Sequence, residues 1–333
     1  MAEDIVNKIT KYLRNDHIFR RLGLKDIHQV RYLAQGEYNR NFLIIDSSGR
    51  QLVFRMNYGS QINVKRQARY EFNALKILSR TRHTPMPIFL DDNKKIFNHD
   101  ILIEQFLPGQ SLNYSTDLYK AAEIFASIHS LKLSSEQQQS LISEDNLCFD
   151  RISEAKILLD PVYQTNKLSD EQKQIVFDLL DWCLSNNQDA YFSTQSKCMV
   201  NTEVNSSNFL ITDNYGWLID WEKTVYSNAV QDLTQFMAET TTLFRSSKII
   251  SNEDRILFIK KYAELTDQSS EKLFQNIQHY MPFLLLRALS WCAMLVTTYE
   301  DKPIKNPNIY HKCRDFLNPK FSLPLLKKYG VNA

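Results

Sequence analysis

Glycine is scarce in this chain: 7 of 333 residues, about 2% where about 7% is usual. Gly23, Gly36, Gly49, Gly59, Gly109, Gly216 and Gly330 stand too far apart to write G-x-G-x-x-G or G-x-x-x-x-G-K-[ST], which excludes a Rossmann fingerprint and a P-loop in their usual forms. Paired or clustered cysteine is lacking too. Cys148, Cys183, Cys198, Cys292 and Cys313 are odd in number, dispersed and without any C-x-x-C, so neither a disulfide framework nor a zinc knuckle is indicated, and a reducing cytoplasm suits them. Charge of one sign is also lacking. Lys+Arg 40 against Asp+Glu 38 leaves a formal +2, with no global field to draw in nucleic acid or an anionic membrane, and neither is expected as a partner. The N-terminus (MAEDIVNKITKYLRND) has no signal-peptide apolar core, and the longest apolar run, Phe283 to Val296, is short and interrupted by Arg287. What is abundant is aromatic and aliphatic side chain, 12% and 43% by the aromatic and hydrophobic sets, enough to fold; the length exceeds one ordinary core and predicts two lobes.

The first part of the chain reads as β-rich. Residues 1–24 place Ile5, Ile9, Tyr12 and Leu13 at helical spacing and predict one amphipathic helix ended by Gly23. Gln29 to Ala34, Phe42 to Ile45 and Leu52 to Met56 read as strands, joined by a polar turn at Gln35 to Arg40 and a hairpin at Asp46 to Arg50. Val64 to Leu78 has helical period, Ile88 to Leu90 and Ile101 to Phe106 are strand-like, and Leu107-Pro108-Gly109 marks a change to mostly helical sequence. Helices are predicted at Leu118–Leu131, Glu171–Asn187, Gln231–Phe244 and Asn276–Tyr299. One β-like island interrupts them, with strands at Cys198–Val200, Phe209–Thr212 and Trp217–Asp220 around a polar loop, an arrangement that commonly carries chemistry.

The island reads C-M-V-N-T-E-V-N-S-S-N-F-L-I-T-D-N-Y-G-W-L-I-D-W-E-K. It resembles the aminoglycoside phosphotransferase and choline kinase-like branch of the protein-kinase-like fold, whose motif is H-G-D-x-x-x-x-N, two short strands and an apolar residue before I-D-W/F-E. The resemblance spans about residues 28 to 240. It implies an α+β, two-lobed protein-kinase-like fold, with a β-rich N-terminal nucleotide lobe (1–107) and a mainly helical C-terminal lobe (108–333). By that likeness Asn208 and Asp220 are the metal-binding pair, and Glu203, five before Asn208, takes the place of the catalytic Asp that contacts the acceptor hydroxyl. Tyr32 to Leu43 (YLAQGEYNRNFL) is similar to the phosphate-covering hairpin, with Gly36 and Asn39 in it. Arg55 stands where a phosphate-pairing Lys is usual, Glu71 on the following helix is its carboxylate partner, and Glu104 to Leu107, Phe106 included, matches the hinge that binds the base. Asp232 resembles the Asp of a D-x-x-x-D-L stretch, a structural helix start. ATP or GTP as co-substrate, Mg²⁺, and a small-molecule acceptor are the partners implied.

The chemistry suits these residue types. A transferring phosphoryl group spreads charge over its oxygens, so the protein's part is positioning and electrostatic stabilisation, and Mg²⁺ takes oxygen ligands such as an amide and a carboxylate. Arg offers a planar fork for phosphate, which makes the exchange for Lys chemically coherent without making it conservative. The departure is Asn201-Thr202-Glu203 in place of H-G-D. Glu reaches one methylene further than Asp, and Thr202 lacks the conformational freedom of glycine. The same exchange fits a catalytically silent, nucleotide-binding or regulatory module. His129 reads as a core or capping histidine, Lys65, Arg66 and Arg69 as a solvated basic face, and Glu222 as a metal-side or solvated carboxylate. Trp291, Tyr299, Glu300 and Asp301 read either as core or as an aromatic-acidic pocket for a cationic acceptor.

Overall fold

The computed structural model describes residues 2–36, 38–60, 62, 64–301 and 305–332; Glu37 of the expected turn lies outside them. The chain opens with helices α1 (Ala2–Leu13) and α2 (Asp16–Leu22), then strands β1 (Ile27–Gln35), β2 (Asn39–Asp46) and β3 (Gln51–Asn57). Helix α3 (Gln67–Leu78) leads to β4 (Pro87–Asp91), β5 (Asp100–Gln105) and β6 (Gln110–Ser111). There follow α4 (Leu118–His129), α5 (Ser135–Gln139), α6 (Leu147–Leu159), α7 (Asp170–Ser185), α8 (Asp189–Phe192) and β7 (Cys198–Val200). Strands β8 (Phe209–Ile211), β9 (Gly216–Leu218) and β10 (Val225–Ser227) precede α9 (Val230–Met237), α10 (Glu239–Arg245), α11 (Asn252–Thr266), α12 (Ser270–Thr298), α13 (Pro307–Phe316) and α14 (Pro319–Lys328).

These elements group into two units. The first comprises Met1–Leu112, Leu133–Leu141 and Asn208–Thr224, the second Asn113–Lys132, Ile142–Ser207 and Val225–Ala333. The grouping differs from a single division at Leu107/Pro108, because β6 pairs with β8 and β8 with β9, which ties residues 208–224 to the sheet-bearing unit. Gly109 makes that pairing possible. Its φ is +128°, and a Cβ there would lie 2.9 Å from the backbone N and O of Ile211, so only glycine permits so close an approach.

The first unit is built on an antiparallel sheet of order β1-β2-β3-β5-β4. Alternation along β3 sends Leu52, Phe54 and Met56 to one face, where they meet Phe42, Ile101 and Ile103 under Ile9, Tyr12 and Leu13 of α1. Tyr12 meets Phe54 and Phe97 edge-on at 6.0 and 5.1 Å. Each such fully buried large side chain is worth about 1.5–3 kcal/mol. The opposite parity, Val53, Arg55 and Asn57, faces the other side of the sheet. The single N-terminal helix expected from the sequence is two: the Asn15 side chain accepts the His17 N–H and restarts the chain as α2, which Gly23 closes at φ +60°.

The second unit surrounds α12, which packs on α6, α7, α9 and α13. Helix α12 is long and apolar enough to cross a membrane, yet 67% of its apolar window is buried inside this unit, as a core helix requires. Phe125 of α4, Phe236 of α9 and Phe258 of α11 form an aromatic contact with ring centroids 5.0–6.2 Å apart. The helix expected at Gln231–Phe244 is broken at Ala238, whose backbone is extended. Strand β7 pairs antiparallel with β10 and delivers the chain into the polar loop beginning at Asn201.

Candidate active site

In the second unit, the loop after β7 is held by a carboxylate. Asp232, in the first turn of α9 and fully buried, accepts the Asn201 N–H through Oδ2 and the Thr202 N–H through Oδ1, both at 2.8 Å. Nε2 of His129 lies 3.3 Å from the same Oδ2, and its Nδ1 lies 3.0 Å from the Tyr262 hydroxyl. The Glu203 N–H donates to Asn201 Oδ1 at 3.0 Å and the Val204 N–H to Gln235 Oε1 at 3.3 Å. Four consecutive backbone N–H groups are therefore satisfied by side chains, which lets a loop without regular structure hold one shape. His129, read as a core or capping histidine, ends α4 with its side chain buried, and Asp232 is the structural helix-start residue expected, with the added task of fastening the loop. Asn201 spends its side-chain oxygen inside the loop. Thr202 adopts φ +63°, a left-handed backbone that costs an L-residue roughly 1–2 kcal/mol and a β-branched one most of all.

In the first unit, a charge cluster forms on the face of the sheet away from α1. Nη1 of Arg55 lies 3.0 Å from Glu71 Oε1 and 3.4 Å from Glu104 Oε1, and its Nη2 lies 3.0 Å from Asp220 Oδ1. Arg55 and Glu71 were paired on the sequence; Glu104, assigned to the base-binding hinge, also contributes its side chain here. The β3–β5 register opposes Arg55 to Leu102, so Glu104, two residues on, is the same-face diagonal neighbour, within reach of two long side chains. Burial would strip the charge from Arg55, but Glu71, Glu104, Asp220 and Glu222 outweigh it and hold the guanidinium charged. Burial pushes the carboxyls of Glu71 and Glu104 above the usual range, and Arg55 draws back only part of that rise.

Asp220 follows β9 with φ +63°. The Ile219 N–H donates to the Asn208 carbonyl at 2.8 Å, joining the two expected metal-binding positions through the backbone. Trp221, fully buried, donates its indole N–H to Leu218 O at 2.9 Å, and the Gln67 side chain and Tyr70 hydroxyl of α3 donate to the carbonyls of Glu222 and Thr224, both at 2.6 Å. Asn39 is buried, donates its amide to the Glu222 carboxylate and accepts from Asn57 at 3.0 Å. Gly36 is exposed and its N–H closes the turn on Asn39 O at 2.9 Å. Phe106 lines a pocket of about 430 Å³ with Leu52, Met86, Ile88 and Pro108. The structure thus gathers Arg55, Glu71, Glu104 and Asp220, and links Asn39 to Glu222. Of the residues read either as core or as an aromatic-acidic pocket, Trp291 meets Phe244 edge-on at 6.1 Å, Tyr299 meets Tyr310 at 4.3 Å, and Glu300 pairs with Lys305.

The fit of a divalent cation rests on the donor set. Carboxylate oxygens of Asp220 and Glu222 lie within 4.8 Å of each other, all donors are oxygen, and the cluster holds more acid than base. A hard ion such as Mg²⁺ suits those ligands.

Residues 29–254 match the family described as the phosphotransferase enzyme family (APH), so the chain belongs to it. Among solved structures it is similar to a putative aminoglycoside phosphotransferase from Ralstonia eutropha JMP134, at 13% identity and TM-score 0.71, covering 97% of each chain. It is similar also to choline kinase from Cryptosporidium parvum Iowa II, at 16% identity and TM-score 0.65, covering 100% of this chain and 98% of that one. A spectinomycin phosphotransferase in complex with ADP and spectinomycin matches at 11% identity and TM-score 0.65, covering 92% and 94%. The fold is protein-kinase-like, α+β, with a β-sheet N-terminal region and a largely helical C-terminal part. No curated protein matches the chain significantly in sequence.

Proposed function

We propose that this phosphotransferase-family chain moves the terminal phosphoryl group of ATP or GTP to a hydroxyl of a small molecule with the help of Mg²⁺. The observation that carries the reading is the Arg55 cluster: a buried, obligatorily charged guanidinium set by Glu71 and touching the Asp of the I-D-W-E motif. In this reading Glu203 orients the acceptor hydroxyl and receives its proton as the oxygen bonds to phosphorus and the bond to the bridging oxygen breaks. Arg55 neutralises phosphate charge, and Gly36 of the hairpin offers backbone close to the phosphates. Leu107 and Phe106, with the backbone of Glu104, receive the base. Asp220 and Asn208, with Glu222 beside Asp220, would hold the ion, which when bound shields charge on the phosphate oxygens. The ADP bound to the spectinomycin enzyme, a similar fold, supports a nucleotide co-substrate.

The test is nucleotide consumption across a panel of aminoglycosides, amino alcohols and sugars, with Glu203→Ala and Asp220→Ala as controls. Stimulated turnover abolished by both substitutions is expected; no stimulation by any acceptor, together with no thermal stabilisation by Mg·ATP or Mg·GTP, would sink the proposal.

A second reading, a nucleotide-binding module that transfers nothing, is favoured by one observation, the β-branched Thr202 at φ +63° where the family pattern has glycine. It predicts nucleotide binding with the same negligible turnover in the unaltered protein and in Glu203→Ala.

A further inference from the structure

The two arms of the Arg55 guanidinium are held differently. Nη1 is shared by two carboxylates from the sheet and from α3, Glu71 at 3.0 Å and Glu104 at 3.4 Å, whose side chains are 2% and 7% exposed. Nη2 has Asp220 at 3.0 Å, and the Asp220 side chain keeps 34% of its surface in solvent. One arm is therefore enclosed by residues on regular elements, and the other faces a partner that water, ions and ligands can reach. Glu71 Oε1, Glu104 Oε2 and Arg55 Nε are buried without a hydrogen-bond partner among the described residues, so Glu71 holds Nη1 as an ion pair and the geometry has been set by charge and not by a complete hydrogen-bond match.

A lysine at this position would need none of this. An ammonium is a compact point charge with rotatable donors, and one carboxylate suffices to aim it. A guanidinium is a rigid fork; a single carboxylate on Nη1 leaves the plane free to swing about that contact. Glu104 supplies a second anchor on the same arm. We propose that Glu104 is a positioning residue that makes arginine workable at position 55: with Glu71 it locks Nη1, so that Nη2 is the one arm that turns from Asp220 to a phosphate oxygen. This rests on the nucleotide-binding part of the function proposed above. It assigns to a strand residue of β5 a role in phosphate recognition that is separate from any backbone contact to the base.

The experiment is calorimetric titration of the full chain with Mg·ADP and Mg·GDP, on the unaltered protein, Glu104→Gln, Glu104→Leu, Arg55→Lys and the double variant Arg55→Lys/Glu104→Leu, with Tm recorded for each. Glu104→Gln keeps the shape and removes the charge, which keeps the test available if Glu104→Leu fails to fold. Expected are a loss of nucleotide affinity of about tenfold in Glu104→Gln, a similar or larger loss in Arg55→Lys, and recovery of about tenfold in the double variant relative to Arg55→Lys, the range of coupling between contacting charged residues. A merely structural Glu104 would move Tm and leave affinity in place, with no recovery in the double variant; that result overturns the proposal while leaving nucleotide binding intact. Failure of the unaltered protein to bind either nucleotide overturns the parent reading and this one together.

Discussion

Asp232 and Thr202 are joined by a 2.8 Å hydrogen bond from the Thr202 N–H to Oδ1, and that bond holds a threonine in a backbone conformation that glycine occupies freely. The other carboxylate oxygen takes the N–H of Asn201, so one buried acid fixes the entry to the Glu203 loop against the strain within it.

Thr202→Gly should relieve that strain. The gain of roughly 1–2 kcal/mol from leaving the left-handed region is partly offset by the greater freedom of glycine in the unfolded chain, leaving about 0.5–1 kcal/mol. A higher denaturation midpoint in urea at unchanged slope is expected; a lower midpoint would show that the threonine side chain contributes packing that outweighs its backbone strain.

Asp232→Asn replaces one acceptor oxygen by an amide donor and leaves an N–H of Asn201 or Thr202 without its acceptor. The expected destabilisation is about 1–3 kcal/mol, accompanied by loss of any acceptor-stimulated turnover because the Glu203 loop loses its anchor. Urea unfolding and the nucleotide-consumption assay check the two parts separately.

Gly109→Ala places a Cβ 2.9 Å from backbone atoms of Ile211 at a φ of +128°. Neither the β6–β8 pairing nor the backbone conformation accommodates it, and a loss of about 2 kcal/mol or more is expected in thermal or urea unfolding. An unchanged Tm would mean that this approach is looser in solution.

Asp220→Asn should abolish Mg²⁺-dependent stabilisation by nucleotide. At a ligand concentration about a hundred times its dissociation constant the unaltered protein gains about 2.7 kcal/mol, and the variant should show the small shift of nucleotide without metal. Thermal shift with Mg·ATP, with and without chelator, measures it.

Asp46 carries a pH signature remote from this site. The Ser48 hydroxyl donates to it at 2.6 Å, and the N–H groups of Lys25, Arg50 and Ser48 at 2.9–3.0 Å, which lower its pKa to about 2. The unfolded chain then binds more protons than the folded one between about pH 4 and pH 2, so this contribution is complete above pH 4 and lost as pH falls through 2. Asp46→Asn should lose less of its own stability than the unaltered protein between pH 5 and pH 3; equal slopes would refute the assignment.

Much of the fold and part of the candidate site were legible in the chain. The apolar strand-like run LVFRM and the helical period in the stretch after Val64 locate β3 and α3, and the family resemblance pairs Arg55 of the one with Glu71 of the other. Helices α6 and α11 escaped because their apolar residues are spread around the helix and leave only a weak amphipathic stripe. The side-chain role of Glu104 was readable only by parity across β3 and β5, and the strand register that supplies it is itself a tertiary fact. Glu222 as the partner of Asn39 had no local signal, since the two lie 183 positions apart.

By itself the sequence determined the types and spacings that short-range geometry demands: Asn208 five after Glu203, Asp220 after a short strand, and a threonine where the family pattern has glycine. The tertiary structure alone decided which acids share Arg55, that Asp232 and His129 stand behind the Glu203 loop, and that residues 208–224 pack with the sheet. The reason is physical. Spacing along a strand or turn is set by local backbone geometry, whereas the charge state and partners of a buried group depend on which distant segments exclude water around it.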